Sequence, residues 1–378
     1  MNSPLKVKIF LCKGLSDLKN ETVEAHLFNK DLLINLLTLK IKQPNQFKKI
    51  VGGYSNNTYH YERENLILRF PKLHNLRYRY TPDNSIETHN LLQAKQLNLT
   101  PLEIVAYYTK YALLVTRFVP SFQLCSERYF KDERNYKKKL TEVAQLIKKL
   151  HYSDREFREN KEASFPFISS SSEIFKTVRL ILTAEDHEIL KKLDSIKSMI
   201  DTFEIIKRPS HGDLHYSNLI EINDAIQLID WESSSVRDPA YDISRFLCSA
   251  ELNPNAEDFF LKAYKNSLNI QLTDDEFSHL KTRIQFFKPL IYFSVVVWAK
   301  YTVFHCEEKR LFEEAIKSFT EKTLNQLKNL PFPANHTEKY KKTRTHSQNY
   351  VNFFSLIAEN EPTPYPSESI GRHKPYSI

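Results

Sequence analysis

Apolar residues recur along this chain with two periods, and the switches between them mark its divisions. Leu27, Leu32, Leu33, Leu36 and Leu37 fall near helical spacing, so residues 1–45 are expected to form a helical N-terminal extension. From Phe47 the pattern turns to strands. Ile50 and Val51 lead into Gly52-Gly53 and a run of small polar residues, and Leu66-Ile67-Leu68-Arg69-Phe70-Pro71 follows after the turn Glu62-Arg63-Glu64-Asn65. Helical spacing returns from Ile86 through Leu91, Leu92 and Leu97, closed by Asn98 and Pro101. Residues 104–108 and 111–119 read as a hairpin around Thr109-Lys110, ended by Pro120.

Residues 137–151 are amphipathic, with Leu140, Val143, Ile147 and Leu150 on one side and lysines on the other. The run Lys137 to Lys139 is therefore expected to lie on a solvated face. Positions 154–174 are polar and Ser-rich, as in a surface loop, and helical patterns continue to about residue 205. Asn218-Leu219-Ile220 and Ile226 to Ile229 read as two short paired strands turning at Asn223-Asp224. Residues 283–306 gather Phe286, Phe287, Tyr292, Phe293, Trp298, Tyr301 and Phe304 into one helical stretch. Pro331-Phe332-Pro333 then breaks the pattern, and residues 331–378 read as a flexible basic tail containing Pro362, Pro364 and Pro366. No internal repeat is visible.

A length of 378 residues with 41% hydrophobic content is ample for a packed core and excludes global disorder. The four cysteines lie far apart without a CxxC pair, which argues for a reducing compartment and no disulfide framework. The apolar run Ile9 to Cys12 is too short for a signal sequence, and Leu290 to Val297, between Lys288 and Lys300, is too short to span a bilayer. A cytoplasmic location is expected. The net charge of +8 suits an anionic ligand or a membrane surface, while no DNA- or RNA-binding motif appears. Three of the five glycines (Gly52, Gly53 and Gly212) fall in the two segments richest in candidate chemistry.

The densest chemistry lies in Ser210-His211-Gly212-Asp213-Leu214-His215-Tyr216-Ser217-Asn218 and, after the strand pair, Ile229-Asp230-Trp231-Glu232. Asp213, Asn218 and Asp230 offer two carboxylates and an amide oxygen. That set suits proton abstraction from a hydroxyl beside a hard cation such as Mg²⁺. A zinc site on His211, Asp213 and His215 is the rival, but no Cys pair or HExxH helix supplies further ligands.

His211-x-Asp213-x4-Asn218 with Ile229-Asp230-Trp231-Glu232 resembles the catalytic and metal-binding segments of the aminoglycoside phosphotransferase and choline kinase superfamily. Gly52-Gly53-x-Ser55-Asn56 with Leu68-Arg69-Phe70-Pro71 is similar to its choline/ethanolamine kinase branch, including the bacterial LicA-like enzymes. The resemblance implies an α+β, two-lobed protein-kinase-like fold. A small antiparallel-sheet lobe would span 46–120 and bind nucleotide, and a larger, mainly helical lobe would span 121–330 and hold the acceptor.

It further implies Asp213 as catalytic base, His211 as organiser of its loop, and Asn218 and Asp230 as Mg²⁺ ligands. ATP would be held by Gly53, Ser55 and Asn56, by Arg69 on the phosphates with Glu87 as its partner, and by a hinge including Thr116 and Phe118. Asp242, in Asp238-Pro239-Ala240-Tyr241-Asp242-Ile243, would start a helix and brace the catalytic loop. Glu232, Trp298 and Tyr301 are the candidates for recognising a cationic acceptor.

Simpler readings stand beside several of these. Glu87 is three residues after Asn84 and would complete a capping box. The aromatic stretch equally suits a helix core, and three positions aromatic in choline kinases are Val295 to Val297 here. The reaction expected is transfer of the ATP γ-phosphate to a small cationic alcohol, with choline or ethanolamine favoured. Aminoglycoside, thiamine and homoserine phosphorylation are alternatives. So is a kinase-like effector module that engages a protein or membrane through its basic tail.

Overall fold

The computed structural model describes residues 47–50, 56–71, 84–108, 113–120, 123–125, 127–130, 135–160, 178–179, 181–267, 272–305 and 309–330. The expected N-terminal extension and basic tail lie outside the described residues, as do Gly53 and Ser55 and most of the Ser-rich loop.

Five antiparallel strands make the first lobe: β1 (Phe47–Ile50), β2 (Asn56–Tyr61), β3 (Leu66–Pro71), β4 (Ile104–Tyr108) and β5 (Leu113–Arg117), in the spatial order β1-β2-β3-β5-β4. The Glu62–Glu64 turn between β2 and β3 closes on Asn65 in the left-handed region, a conformation Asn tolerates. Alternation along β3 sorts its residues. Leu66 and Leu68 are buried in the core, whereas Ile67 and Arg69 face a cleft on the other side. Helix α1 (Asn84–Gln96) packs beside this sheet, and its exit is tied to the second lobe by the Leu228 N–H donating to the Leu99 carbonyl at 2.8 Å.

The second lobe is mainly helical: α2 (Tyr136–His151), α3 (Ala184–Ile200), α4 (Pro239–Ala250), α5 (Pro254–Asn266), α6 (Asp274–His305) and α7 (Lys309–Asn329). Small sheets are inserted among the helices: β6 (Gln123–Leu124), β8 (Leu219–Ile222) and β9 (Ala225–Leu228) form one, and β7 (Arg208–Ser210) with β10 (Ser235–Arg237) another. The β8–β9 hairpin turns at Asn223 and Asp224, both with positive φ (49° and 62°), which matches the twist of the strands it joins.

Helix α2 buries Leu140, Val143, Ile147 and Leu150 as its period predicts. Of the lysine run, Lys137 and Lys138 are exposed as expected, but two lysines of this helix are buried. Lys139 is buried, pairs with Glu221 on β8 and lies 5.2 Å from the Tyr129 ring. Lys148 is fully buried, donates to the Lys265 carbonyl at 2.6 Å and sits over the Tyr264 ring. Long aliphatic stems let both follow the apolar face while their ammonium groups find acceptors.

One further expectation is corrected. Helix α4 begins at Pro239 with Asp238 as its N-cap, the Asp238 side chain accepting from the Ala240 N–H at 2.9 Å, so Asp242 does not start the helix. The aromatic stretch is helical as expected, within one helix that runs from Asp274 to His305 and carries Pro289 in its interior. Phe286, Phe287, Tyr292 and Phe293 are buried between α6 and its neighbours. Among the described residues no helix is long and apolar enough to cross a membrane.

Candidate active site

The loop after β7 turns at Gly212, where φ is +81° and a Cβ would lie 2.0 Å from the Ser233 carbonyl oxygen. Any side chain there would be both strained and blocked. Asp242 receives the turn. Its two oxygens accept the backbone N–H groups of His211 and Gly212, each at 2.8 Å, and His151 lies 3.3 Å away on the other side. Burial works against the Asp242 charge, but the His151 hydrogen bond, with His211 and Arg237 nearby, holds its carboxyl down to about 2. Behind His151, its Nδ1 meets the Tyr264 hydroxyl at 2.8 Å, extending the support into α5.

His211 is an organiser by geometry. Its Nε2 donates to the Ile229 carbonyl at 2.9 Å, its Nδ1 accepts from the Asp213 N–H at 3.3 Å, and its ring packs edge-on to Trp231. Both ring nitrogens are therefore engaged within the protein, which leaves none for zinc. Burial lowers its pKa, so the neutral ring that this hydrogen-bond pattern requires is favoured.

Asp213 projects from this braced turn. Arg245 on α4 donates Nε and Nη2 to its Oδ1 at 3.0 and 2.9 Å, and His215 Nε2 lies 3.3 Å from Oδ2. Burial alone would raise the Asp213 pKa, but Arg245 first and His215 second hold it far below the usual carboxylate range. Asn218 donates Nδ2 to the Asp213 carbonyl at 2.9 Å, which leaves its amide oxygen as the free acceptor.

Asp230 follows β9 in the left-handed region (φ 65°, ψ 70°), so the chain turns sharply there, and its side chain is 40% exposed. It faces Arg69 from β3. That guanidinium meets Glu87 on α1 at 2.5 Å, Asp230 at 3.2 Å and Glu232 at 3.4 Å. Asn56 on β2 donates to Glu232 at 2.9 Å. Three carboxylates thus surround one guanidinium, an imbalance of charge. Burial opposes the Arg69 charge, yet Glu87, Asp230 and Glu232 hold its pKa above the ordinary value. Burial and then Asp230 push Glu232 well above the carboxylate range. Glu87 spends its carboxylate on Arg69, and its Oε2 has no hydrogen-bond partner among the described residues.

Arg69, Asn218, Asp230 and Glu232 line one cleft between the lobes, with a cavity of about 330 Å³. Asn56, Arg69, Asn218, Asp230 and Glu232 supply its charged and amide groups, Leu114 lies opposite Arg69 on the neighbouring strand, and Ile67, Phe118, Ile220 and Ile229 add apolar lining beside Thr116. Phe118 is fixed by stacking on His60 with 4.2 Å between ring centroids, and its N–H donates to the Asn65 carbonyl at 2.7 Å. A cleft that combines apolar lining with a cationic group and oxygen donors can take a flat heterocycle with a polyanionic tail.

The structure therefore brings Asn56, Arg69, Thr116, Phe118, Asn218, Asp230 and Glu232 together around one cleft, with Glu87 paired to Arg69 and Asp213 hydrogen-bonded to Asn218 just outside its lining. Trp298 and Tyr301 are not part of its lining. Trp298 packs edge-on to Phe312 of α7 and Tyr301 is buried, so this part of α6 serves helix packing. Arg245 and Asn90 have no place in the sequence reading, and His215, weighed there as a zinc ligand, instead lies 3.3 Å from the Asp213 carboxylate. Asn90 is buried on α1, and its amide bonds both the backbone of Arg158 and the Ser234 hydroxyl, anchoring the helix that carries Glu87. The signal for Arg245 was present in the polar row Asp242, Arg245, Ser249 at helical spacing, but its direction is invisible without the fold.

The choline/ethanolamine kinase family model matches residues 47–321. The chain is 26% identical over 266 residues to the protein LicA of Haemophilus influenzae, covering 68% of this chain and 74% of that one. Among solved structures it is similar to choline kinase LicA from Streptococcus pneumoniae, with a TM-score of 0.62 and 19% identity over 78% of this chain and 99% of the other. A structure of LicA in complex with AMP aligns with a TM-score of 0.58 and 18% identity, covering 74% of this chain and 91% of that one.

Proposed function

This chain belongs to the choline/ethanolamine kinase family, and on that premise we propose that it transfers the γ-phosphate of ATP to the hydroxyl of a small alcohol, choline or ethanolamine being favoured. Family and fold support a small-molecule kinase that binds nucleotide. The observation that carries the reading further is the convergence of Arg69, paired to Glu87, from one lobe with Asn218 and Asp230 from the other on a single cleft.

In this reading the nucleotide base enters beside Thr116 and Phe118, and the phosphates meet Arg69, whose planar fork suits them. Glu87 holds that guanidinium in place. Asp213 accepts the acceptor's proton as its oxygen bonds to the γ-phosphorus, and the bond from that phosphorus to the β-phosphate oxygen breaks to release ADP. Asp242 keeps the loop backbone fixed throughout, so the carboxylate is already aimed when substrates arrive.

The donor set fits Mg²⁺. Asp230 gives a carboxylate, Asn218 presents an amide oxygen, and the excess of carboxylates over cations around Arg69 favours a hard cation. When bound, Mg²⁺ neutralises phosphate charge as the transfer proceeds.

ADP release measured with choline, ethanolamine, an aminoglycoside, thiamine and homoserine tests the reading. Choline or ethanolamine is expected to give the largest kcat/KM. Turnover confined to an aminoglycoside would move the acceptor assignment, and no turnover with any acceptor would remove the kinase reading. Mg-ATP is expected to raise Tm, with stabilisation of roughly 2.7 kcal/mol at a hundredfold excess over Kd.

A further inference from the structure

One face of α4 meets the catalytic loop residue by residue. Asp242 takes the N–H groups of His211 and Gly212, Arg245 takes the Asp213 carboxylate, and Ser249 accepts the Tyr216 N–H at 3.2 Å. Positions 242, 245 and 249 have the spacing that puts side chains in a row on one helix face. The outer two members hold backbone. Arg245 alone touches the side chain to which the reaction is assigned.

Its hydrogen bonds are asymmetric. Nε and Nη2 both fall on Oδ1, at 3.0 and 2.9 Å. The neighbours of Oδ2 are farther off, His215 Nε2 at 3.3 Å and Asn218 Nδ2 at 3.4 Å. One carboxylate oxygen is clamped by a charged fork, and the other is held loosely.

Resting on the phosphotransferase reading above, we propose that Arg245 is a positioning residue that fixes the Asp213 carboxylate so that Oδ2 is the oxygen presented to the acceptor hydroxyl. The acceptor proton passes to Oδ2 as the oxygen–phosphorus bond forms, and ADP leaves with the electron pair of the broken bond. Arg245 exchanges no proton in this step. Without it the carboxylate is free to rotate, and its near-attack geometry is populated for only part of the time.

The test compares the full chain with Arg245→Ala, Arg245→Lys and Arg245→Gln, using ADP release on the acceptor that turns over fastest. In Arg245→Ala, kcat is expected to fall about 10–100-fold, as for a misplaced reacting group. KM for ATP should stay within about twofold, since Arg69 and its partners are untouched. Arg245→Lys should recover part of the loss by restoring one donor, and millimolar guanidinium chloride should partly rescue Arg245→Ala but not Asp213→Asn. Tm should change little, and Arg245→Gln provides the same comparison if the alanine variant folds poorly.

Wild-type kcat in Arg245→Ala overturns the proposal alone. A loss that tracks Tm, and that neither lysine nor guanidinium relieves, also overturns it. A wild-type chain that releases no ADP with any acceptor removes the kinase reading and this proposal together.

Discussion

Two regions of the candidate site, the braced loop and the cleft beside it, are built on opposite electrostatic plans. Around the loop 211–216, charges are matched: Asp242 is met by backbone N–H groups and His151, and Asp213 by Arg245. Around Arg69 they are not, because Glu87, Asp230 and Glu232 share one guanidinium. The matched region is complete without a ligand and holds its geometry by itself. The unmatched region has surplus negative charge that a cation would relieve. A site that must orient a proton acceptor benefits from the first plan, and one that must take up a metal and a polyphosphate suits the second.

Substitutions in the two regions should therefore fail in different ways. The largest effect is expected for Asp213→Asn, which keeps an oxygen for Arg245 but removes the proposed base. Its kcat should fall about 10²–10⁴-fold, roughly 3–5 kcal/mol of barrier, while Mg-ATP still raises Tm. Near-normal turnover in that variant would remove Asp213 from the reaction.

Next comes Arg69→Met, which strands Glu87, only 2% exposed, beside Asp230 and Glu232. Breaking a buried pair in this way should cost about 3 kcal/mol in urea unfolding and weaken ATP binding as well. If stability were unchanged, the three carboxylates would not depend on this guanidinium.

Asp242→Asn should cost somewhat less and should carry a pH signature. The Asp242 carboxyl lies at about 2 in the folded chain against an ordinary 3.8. A depressed folded pKa gives stability that is present above the ordinary value and lost as pH falls toward 2. The difference corresponds to ~2 kcal/mol at neutral pH. The variant should be less stable by about that amount at pH 7. Its urea midpoint should also fall less steeply with acid than that of the wild type, and parallel pH curves would show that Asp242 does not carry the effect.

The smallest effect is expected for Lys139→Met. Removing the partner of Glu221 should cost about 1 kcal/mol with kcat unaltered, since Tyr129 still donates to that carboxylate. A large loss of kcat would tie this ion pair to the cleft.

What could be read in advance was local. The strand Leu66 to Pro71, the turn at Asn223-Asp224 and the apolar face of residues 137–151 depend on near neighbours, and all three appear in the structure. Gly212 could be marked as necessary because its conformation is set within the turn. Lys139 was placed on the wrong side because helical periodicity assigns a face but not the acceptor, here Glu221, that makes burial affordable.

By itself, then, the amino-acid order determined the elements, the resemblance that named the fold, and the residue types able to abstract a proton or hold a hard cation. Those follow from side-chain chemistry and from spacing within a few turns. The tertiary structure decided which charges meet. Arg69 finds Asp230 across 161 positions and Glu232 across 163, Arg245 finds Asp213 across 32, and Trp298 turns to Phe312. Charge pairing falls off over a few ångströms, whereas sequence separation carries no distance, so only the packed chain could show one region balanced and the other with more carboxylates than cations among the described residues.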